Sequence, residues 1–240
     1  MPRNAQWWDR RSSASPILRA TPTRYTPPRA SLLRDLGRFV LILLGSVVVL
    51  GGMLACCGTT AHAQAVPREA LQHRATLKRE AQRVWGLDAP VATFAAQVHQ
   101  ESRWRVDARS PVGALGLAQF MPSTASWIGG VYPSLGERAP LNPTWALRGL
   151  VTYDKWLFDR IKADNECERM AFALSAYNGG LGWVYKRQQR SEQPGICMGA
   201  TCAINPGVHP ASQRENAHYP VVILRQHEQL YRAWGRGSCQ

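Results

Sequence analysis

The sequence predicts a mainly α protein. Apolar residues recur every three or four positions in several separate segments, residues that start or stop helices stand at the ends of those segments, and no alternating apolar–polar run exceeds four residues. Val66-Pro67 opens the first segment, in which Ala70, Leu77, Ala81 and Val84 share a face, with Leu71 and Trp85 beside it, basic residues opposite and Gly86 at its end. Asp88 is placed to cap a second helix, with Pro90 in its first turn and Val91, Phe94, Val98 and Glu101 spaced by three and four. Glu101 therefore projects from an apolar face. After Asn142-Pro143 a long helix is marked by Leu147, Leu150, Val151, Leu157, Phe158 and Ile161. Arg169 to Tyr177, RMAFALSAY, is apolar almost all round, as in a helix at the centre of a domain, and Asn178-Gly179-Gly180 ends it. A last helix is expected from about Val221 to Trp234. There is no internal repeat.

A chain of 240 residues with 45% apolar content supports one ordinary domain. Nine Trp and that apolar fraction exclude a wholly disordered chain, and 19% charged residues exclude a long solvated coiled coil. Six Cys are too few for a disulfide-dense miniprotein. The formal charge of +13 suggests an anionic partner: nucleic acid, a membrane face or an acidic wall polymer.

Much of that charge lies outside the predicted domain. Residues 1–63 hold eight Arg against Asp9 and Asp35, six of the thirteen net charges. The basic stretch leads into Phe39 to Cys57, nineteen residues without a charge, and then into Ala61-His62-Ala63, small residues where a signal peptidase reads. This order reads as an export signal. The same segment also fits an uncleaved N-in membrane anchor or lipid attachment at Cys56, and each of these readings carries the rest of the chain out of the cytoplasm. The expected organisation is a leader or anchor over 1–63, an N-terminal helix over 64–87 and one domain over 88–235. The basicity thus calls for no nucleic acid.

Export makes disulfides available to Cys167, Cys197, Cys202 and Cys239. The short CMGATC loop can close Cys197 on Cys202 and leave Cys167 for Cys239. A zinc site with His209 and His218 is the competing arrangement, although the spacing follows no common zinc pattern. No metal and no cofactor is expected.

A carboxyl group on the apolar face of a helix is the chemical anomaly. Burial and the nearby negative end of the helix both disfavour its ionised form, which is what a general acid needs near neutral pH. The bland alternative is a side chain that reaches solvent or pairs with Arg103 or Arg105.

The surrounding residues decide between them. Glu101-Ser102 ends a helix; Ser110 precedes Gly113-Ala114 and Gly116-Leu117-Ala118-Gln119-Phe120-Met121-Pro122; Ala176-Tyr177-Asn178-Gly179-Gly180 ends the apolar helix; and Glu215 stands four residues before Tyr219. In this order the segments resemble the signatures of the lytic transglycosylase domain of the soluble lytic transglycosylase family, whose fold is related to goose-type lysozyme. The resemblance runs from about 88 to 232. Two departures stand out: Ala118 where the family commonly has Met, and Pro220 in place of a usual Val.

The resemblance implies a single lysozyme-like domain that cuts the bond between N-acetylmuramic acid and N-acetylglucosamine in peptidoglycan. Glu101 would act first as acid and then as base, giving a 1,6-anhydro end, with Ser110, Gln119, Tyr177, Asn178 and Glu215 as substrate-binding residues. Asp107, the nearest other carboxylate in sequence, is expected to cap a turn. Trp104, Trp127 and Tyr132 are candidates to stack on sugars. A hydrolase on the same fold and a non-catalytic wall-binding protein are the alternatives. The resemblance further suggests a periplasmic or membrane-anchored location and a partner among secretion, conjugation or pilus machines.

Overall fold

A computed structural model describes residues 65–239. The basic tail, the apolar run 39–57 and the A-x-A site lie outside the described residues. Eight α-helices account for most of the described chain: α1 (Arg68–Leu71), α2 (Arg74–Trp85), α3 (Val91–Ser102), α4 (Pro122–Val131), α5 (Pro143–Phe158), α6 (Glu166–Gly179), α7 (Leu181–Arg190) and α8 (Pro210–Val221). A π-helical segment, Val222–His227, and a 3₁₀ segment, Glu228–Trp234, continue from α8. Among the described residues there are no strands, only isolated bridges pairing Arg109 with Leu115 and Leu115 with Phe120. No described helix is long and apolar enough to cross a membrane.

The core forms where the apolar patterns predict it. Val91 to His99 are all buried in α3, which packs against α2 and the C-terminal π and 3₁₀ segments. Met170 to Ala176 are buried in α6, which packs against α5, α7 and α8. The Asn165 side chain caps α6 by accepting from the Glu168 amide, and Asn142 caps α5 by accepting from Thr144 and Trp145. Cys167 is bridged to Cys239, and Cys197 to Cys202, as the sequence suggests. The bridges consume the thiolates that a zinc site would require.

Several boundaries differ from expectation. The first helix is two, broken where buried His73 stacks on Trp104, and Leu71 ends up exposed. Asp88 does not cap α3, which begins at Val91 after Pro90. Ile161 is buried beyond the end of α5 rather than within it. The last helix departs from α geometry because Pro220, inside α8, has no amide proton for the helical ladder, and the π register follows directly.

Helices α7 and α8 leave little apolar trace in the sequence because their inward faces are polar. Arg187 of α7 is fully buried and donates to the Ile204 carbonyl at 3.0 Å, Gln213 Oε1 at 2.7 Å and Ser175 Oγ at 3.4 Å. From α8, Asn216 accepts from Ser175 Oγ at 2.8 Å and donates to the Ser175 carbonyl at 2.9 Å and to Asn178 Oδ1 at 2.7 Å. This network fixes the end of α6.

One ion pair joins the N-terminal helices to the core. Glu80 is 1% exposed on α2 and accepts from Arg148 Nε of α5 at 2.9 Å, with Arg79 and Arg83 nearby. Burial alone would raise the Glu80 carboxyl, but Arg148, then Arg83 and Arg79, hold it below its ordinary value. Removing Arg148 strands a buried carboxylate, so Arg148→Met is expected to cost about 3 kcal/mol in urea unfolding at neutral pH. Because the folded-state pKa is depressed, the ion pair's contribution is present at neutral pH and is lost as pH falls through that pKa. The deficit of the variant therefore shrinks in acid.

Candidate active site

Glu101 lies in the last turn of α3, and the chain reverses immediately after it. Arg103 (φ 53°) and Trp104 (φ 66°) are both left-handed, a conformation that non-glycine residues adopt at a cost. Trp104 offsets that cost by burial: it is 1% exposed, packs on Trp234 and donates from Nε1 to the Tyr231 hydroxyl at 2.8 Å. It is thus a core residue, not a sugar platform. Trp127 and Tyr132 are half-buried against the core, and Asp107 is exposed in the turn beyond α3.

The glycine-rich loop that follows is built on its own backbone. The Ser110 hydroxyl accepts from the Ala114 amide at 2.9 Å, which makes Ser110 a turn-forming residue in this structure. Gly116 (φ 71°) donates to the Ala108 carbonyl at 2.8 Å and lies so close to the Pro140 carbonyl that a Cβ would collide with it. Gln119 is itself left-handed (φ 47°), and its Nε2 donates to the carbonyls of Gly116 at 3.0 Å and Ala108 at 3.3 Å. The Ala118 carbonyl accepts from the Tyr177 hydroxyl at 2.7 Å, pinning this loop to the end of α6.

Tyr219 of α8 completes the arrangement by donating its hydroxyl to Glu101 Oε1. Glu215, one turn earlier and exposed, acts on Glu101 through its charge. The half-buried Glu101 carboxyl is raised to about 8, first by withdrawal from water; the Tyr219 hydrogen bond pulls it down and Glu215 pushes it up. Burial raises both the Tyr177 and Tyr219 hydroxyls, and the charge of Glu101 adds to the effect. The site therefore holds a carboxylic acid protonated near neutral pH, between two tyrosines that stay neutral, at the end of a rigid helix.

The Transglycosylase SLT domain family matches residues 77–196, half of the chain. The chain belongs to that family. Membrane-bound lytic murein transglycosylase F of Shewanella pealeana is 30% identical over 139 residues, 58% of this chain and 26% of that protein. In structure the chain is similar to the 70 kDa soluble lytic transglycosylase of Escherichia coli, with a TM-score of 0.55 and 24% identity over 69% of this chain and 25% of that one. It is also similar to an inactive mutant of the lytic transglycosylase Slt from Pseudomonas aeruginosa, with a TM-score of 0.50 and 25% identity over 67% of this chain and 25% of that one. This chain spans about a quarter of the length of these relatives.

Glu101 and Tyr177 of the matched segment interact, Glu215 beyond it acts on Glu101, and Gln119 follows Ala118, whose carbonyl accepts from Tyr177. Asn178 follows Tyr177 in α6, tied to Asn216, and Ser110 supports the loop. Sequence reasoning chose Glu215 over Tyr219, whereas Tyr219 makes the hydrogen bond to Glu101. It also passed over Asp154, a fully buried carboxyl on α5 that the charge of Glu101 pushes up and that itself raises the Tyr177 and Tyr219 hydroxyls. The signal was present: Asp154 stands four residues after Leu150 and three before Leu157, the same anomaly on an apolar stripe that marks Glu101. Asn216 is harder to find, since nothing near it in the sequence points to Ser175 or Asn178.

Proposed function

We propose that the protein is a peptidoglycan lytic transglycosylase in which Glu101 carries both proton transfers. The observation that carries this reading is a Glu101 carboxyl raised to about 8 and hydrogen-bonded by Tyr219. Protonated Glu101 gives its proton to the glycosidic oxygen between N-acetylmuramic acid and N-acetylglucosamine as the C1–O bond breaks. The resulting carboxylate takes the proton of the muramoyl C6 hydroxyl, whose oxygen closes on C1 of the same sugar. No water is consumed and Glu101 returns to its acid form. Attack from within the ring avoids recruiting a second molecule, an advantage corresponding to effective molarities on the order of 10⁵ M or more.

The neighbouring residues suit both halves of the cycle. The charge of Glu215 favours the acid form, whereas the Tyr219 hydroxyl stabilises the carboxylate once the proton has left. Gln119, Tyr177 and Asn178 would line the glycan path, with Ser110 holding the loop that carries Gln119. The leader over 1–63 would deliver the domain to the periplasm, cleaved or as an anchor, where the wall's stem-peptide carboxylates match the remaining positive charge. A secretion, conjugation or pilus machine would be the process that needs a local cut.

The pH profile tests this reading. With Glu101 required as the acid, kcat/KM on purified wall is expected to fall as pH rises through about 8. Tyr219→Phe removes a bond that favours the carboxylate, so the alkaline limb should move to higher pH. The same variant should lose about 10- to 100-fold in kcat, the worth of a hydrogen bond to a charged group. A profile indifferent to both would remove Glu101 as the acid.

A further inference from the structure

Asp154 is 0% exposed on α5, and the mechanism above gives it no proton to move. Its one hydrogen bond comes from Gln97 Nε2, 3.3 Å from Oδ1, and Gln97 is itself 0% exposed on α3. Two oxygens of this pair have no hydrogen-bond partner: Asp154 Oδ2 and Gln97 Oε1. Both are acceptors as long as Asp154 is ionised, so they cannot satisfy each other. One proton on Oδ2 changes this, because a carboxylic acid and a primary amide can pair through two hydrogen bonds. An anion here would be buried with one long hydrogen bond and no cation, an arrangement that costs several kcal/mol.

Gln97 stands one helical turn before Glu101, on the same face of α3. The ionisable groups that interact with Asp154 are Glu101 from α3, Tyr177 from α6 and Tyr219 from α8. None of them is a cation. We propose that Asp154 is a positioning residue: a neutral carboxylic acid that accepts from Gln97 Nε2 and donates to Gln97 Oε1, so that Glu101 rests on a fixed and uncharged floor. The role rests on the catalytic reading of Glu101. In that cycle Glu101 becomes an anion after its first proton transfer, and a charged Asp154 would oppose this step where a neutral one does not. The direction of the Asp154 carboxyl, raised well above its ordinary value, agrees with the neutral form.

Asp154→Asn retains one acceptor and one donor toward Gln97 and carries no charge, so it imitates the proposed state. An infrared difference spectrum between wild type and Asp154→Asn at neutral pH should contain the carbonyl band of a protonated carboxyl, lost in the variant. Asp154→Asn should also keep the alkaline limb of kcat/KM in place, whereas Asp154→Leu, which leaves both polar ends of Gln97 unpaired, should lose about tenfold or more in kcat. A carboxylate band in place of the protonated one overturns the proposal. So does an alkaline limb that drops by about one unit in Asp154→Asn, since this is the response to removing a like charge. The spectrum requires no turnover, so it decides the state of Asp154 even if the chain proves inactive on peptidoglycan.

Discussion

Replacing Glu101 by Gln is expected to reduce release of soluble wall fragments by about a thousandfold or more, because in the proposed cycle both proton transfers depend on one group and each is worth about 10²–10⁴-fold. Fragment release from purified wall measures this directly. The variant is expected to keep its fold, since Gln retains an oxygen that can accept from Tyr219. Its stability relative to wild type should also change with pH in a known direction. Glu101 has a pKa of about 8 in the folded protein against 4.5 as a free side chain, so the folded state binds more protons between those values. Wild type therefore loses stability as pH rises through that window, whereas the Gln variant carries no such penalty. Unfolding at pH 5 and pH 8 should show the variant gaining on wild type at the higher pH. A Glu101 that was merely a surface acid would show neither effect.

The second large effect is structural. Gly116→Ala places a Cβ against the Pro140 carbonyl, a backbone atom with no flexible side chain to yield, at a residue held at φ 71°. The left-handed backbone costs an alanine about 1–2 kcal/mol and the displaced loop adds about 1–3 more, so urea unfolding should record a loss of about 2–5 kcal/mol. Wall cleavage should fall with it, because the same loop carries Gln119 and the Ala118 carbonyl that holds Tyr177. Gly113→Ala provides the contrast. It has φ 91° but open space where a Cβ would stand, so only the backbone term of about 1–2 kcal/mol applies.

These residues also show what a sequence can reveal of such a site. Helices α3 and α6 are legible because their buried faces are apolar and, for α6, glycines mark the stop; Glu101 is legible because it interrupts such a face. Asp154 interrupts one in the same way, but its meaning depends on Gln97, 57 positions away, which only the hydrogen bond from α3 to α5 reveals. Helices α7 and α8 are hidden because Arg187, Gln213 and Asn216 face inward and are satisfied by one another, by Ser175 and by loop carbonyls. Tyr219 could be seen as half of a motif, yet its partnership with Glu101 spans 118 positions. Trp104 illustrates the converse: an aromatic beside Glu101-Ser102 invites a sugar-binding role, and its burial with Tyr231 and Trp234 assigns it to the core. Ser110 has a second role that its place in the motif did not reveal, since its hydroxyl accepts from the Ala114 amide within the loop.

The most direct test is the mass of the product. Purified peptidoglycan digested with the described domain, residues 65–239, should yield muropeptides ending in 1,6-anhydro-N-acetylmuramic acid, one water lighter than the hydrolytic products, and Glu101→Gln should yield none. Products carrying the full water, formed by wild type and lost in Glu101→Gln, would contradict the intramolecular closure and assign the same glutamate to a hydrolase.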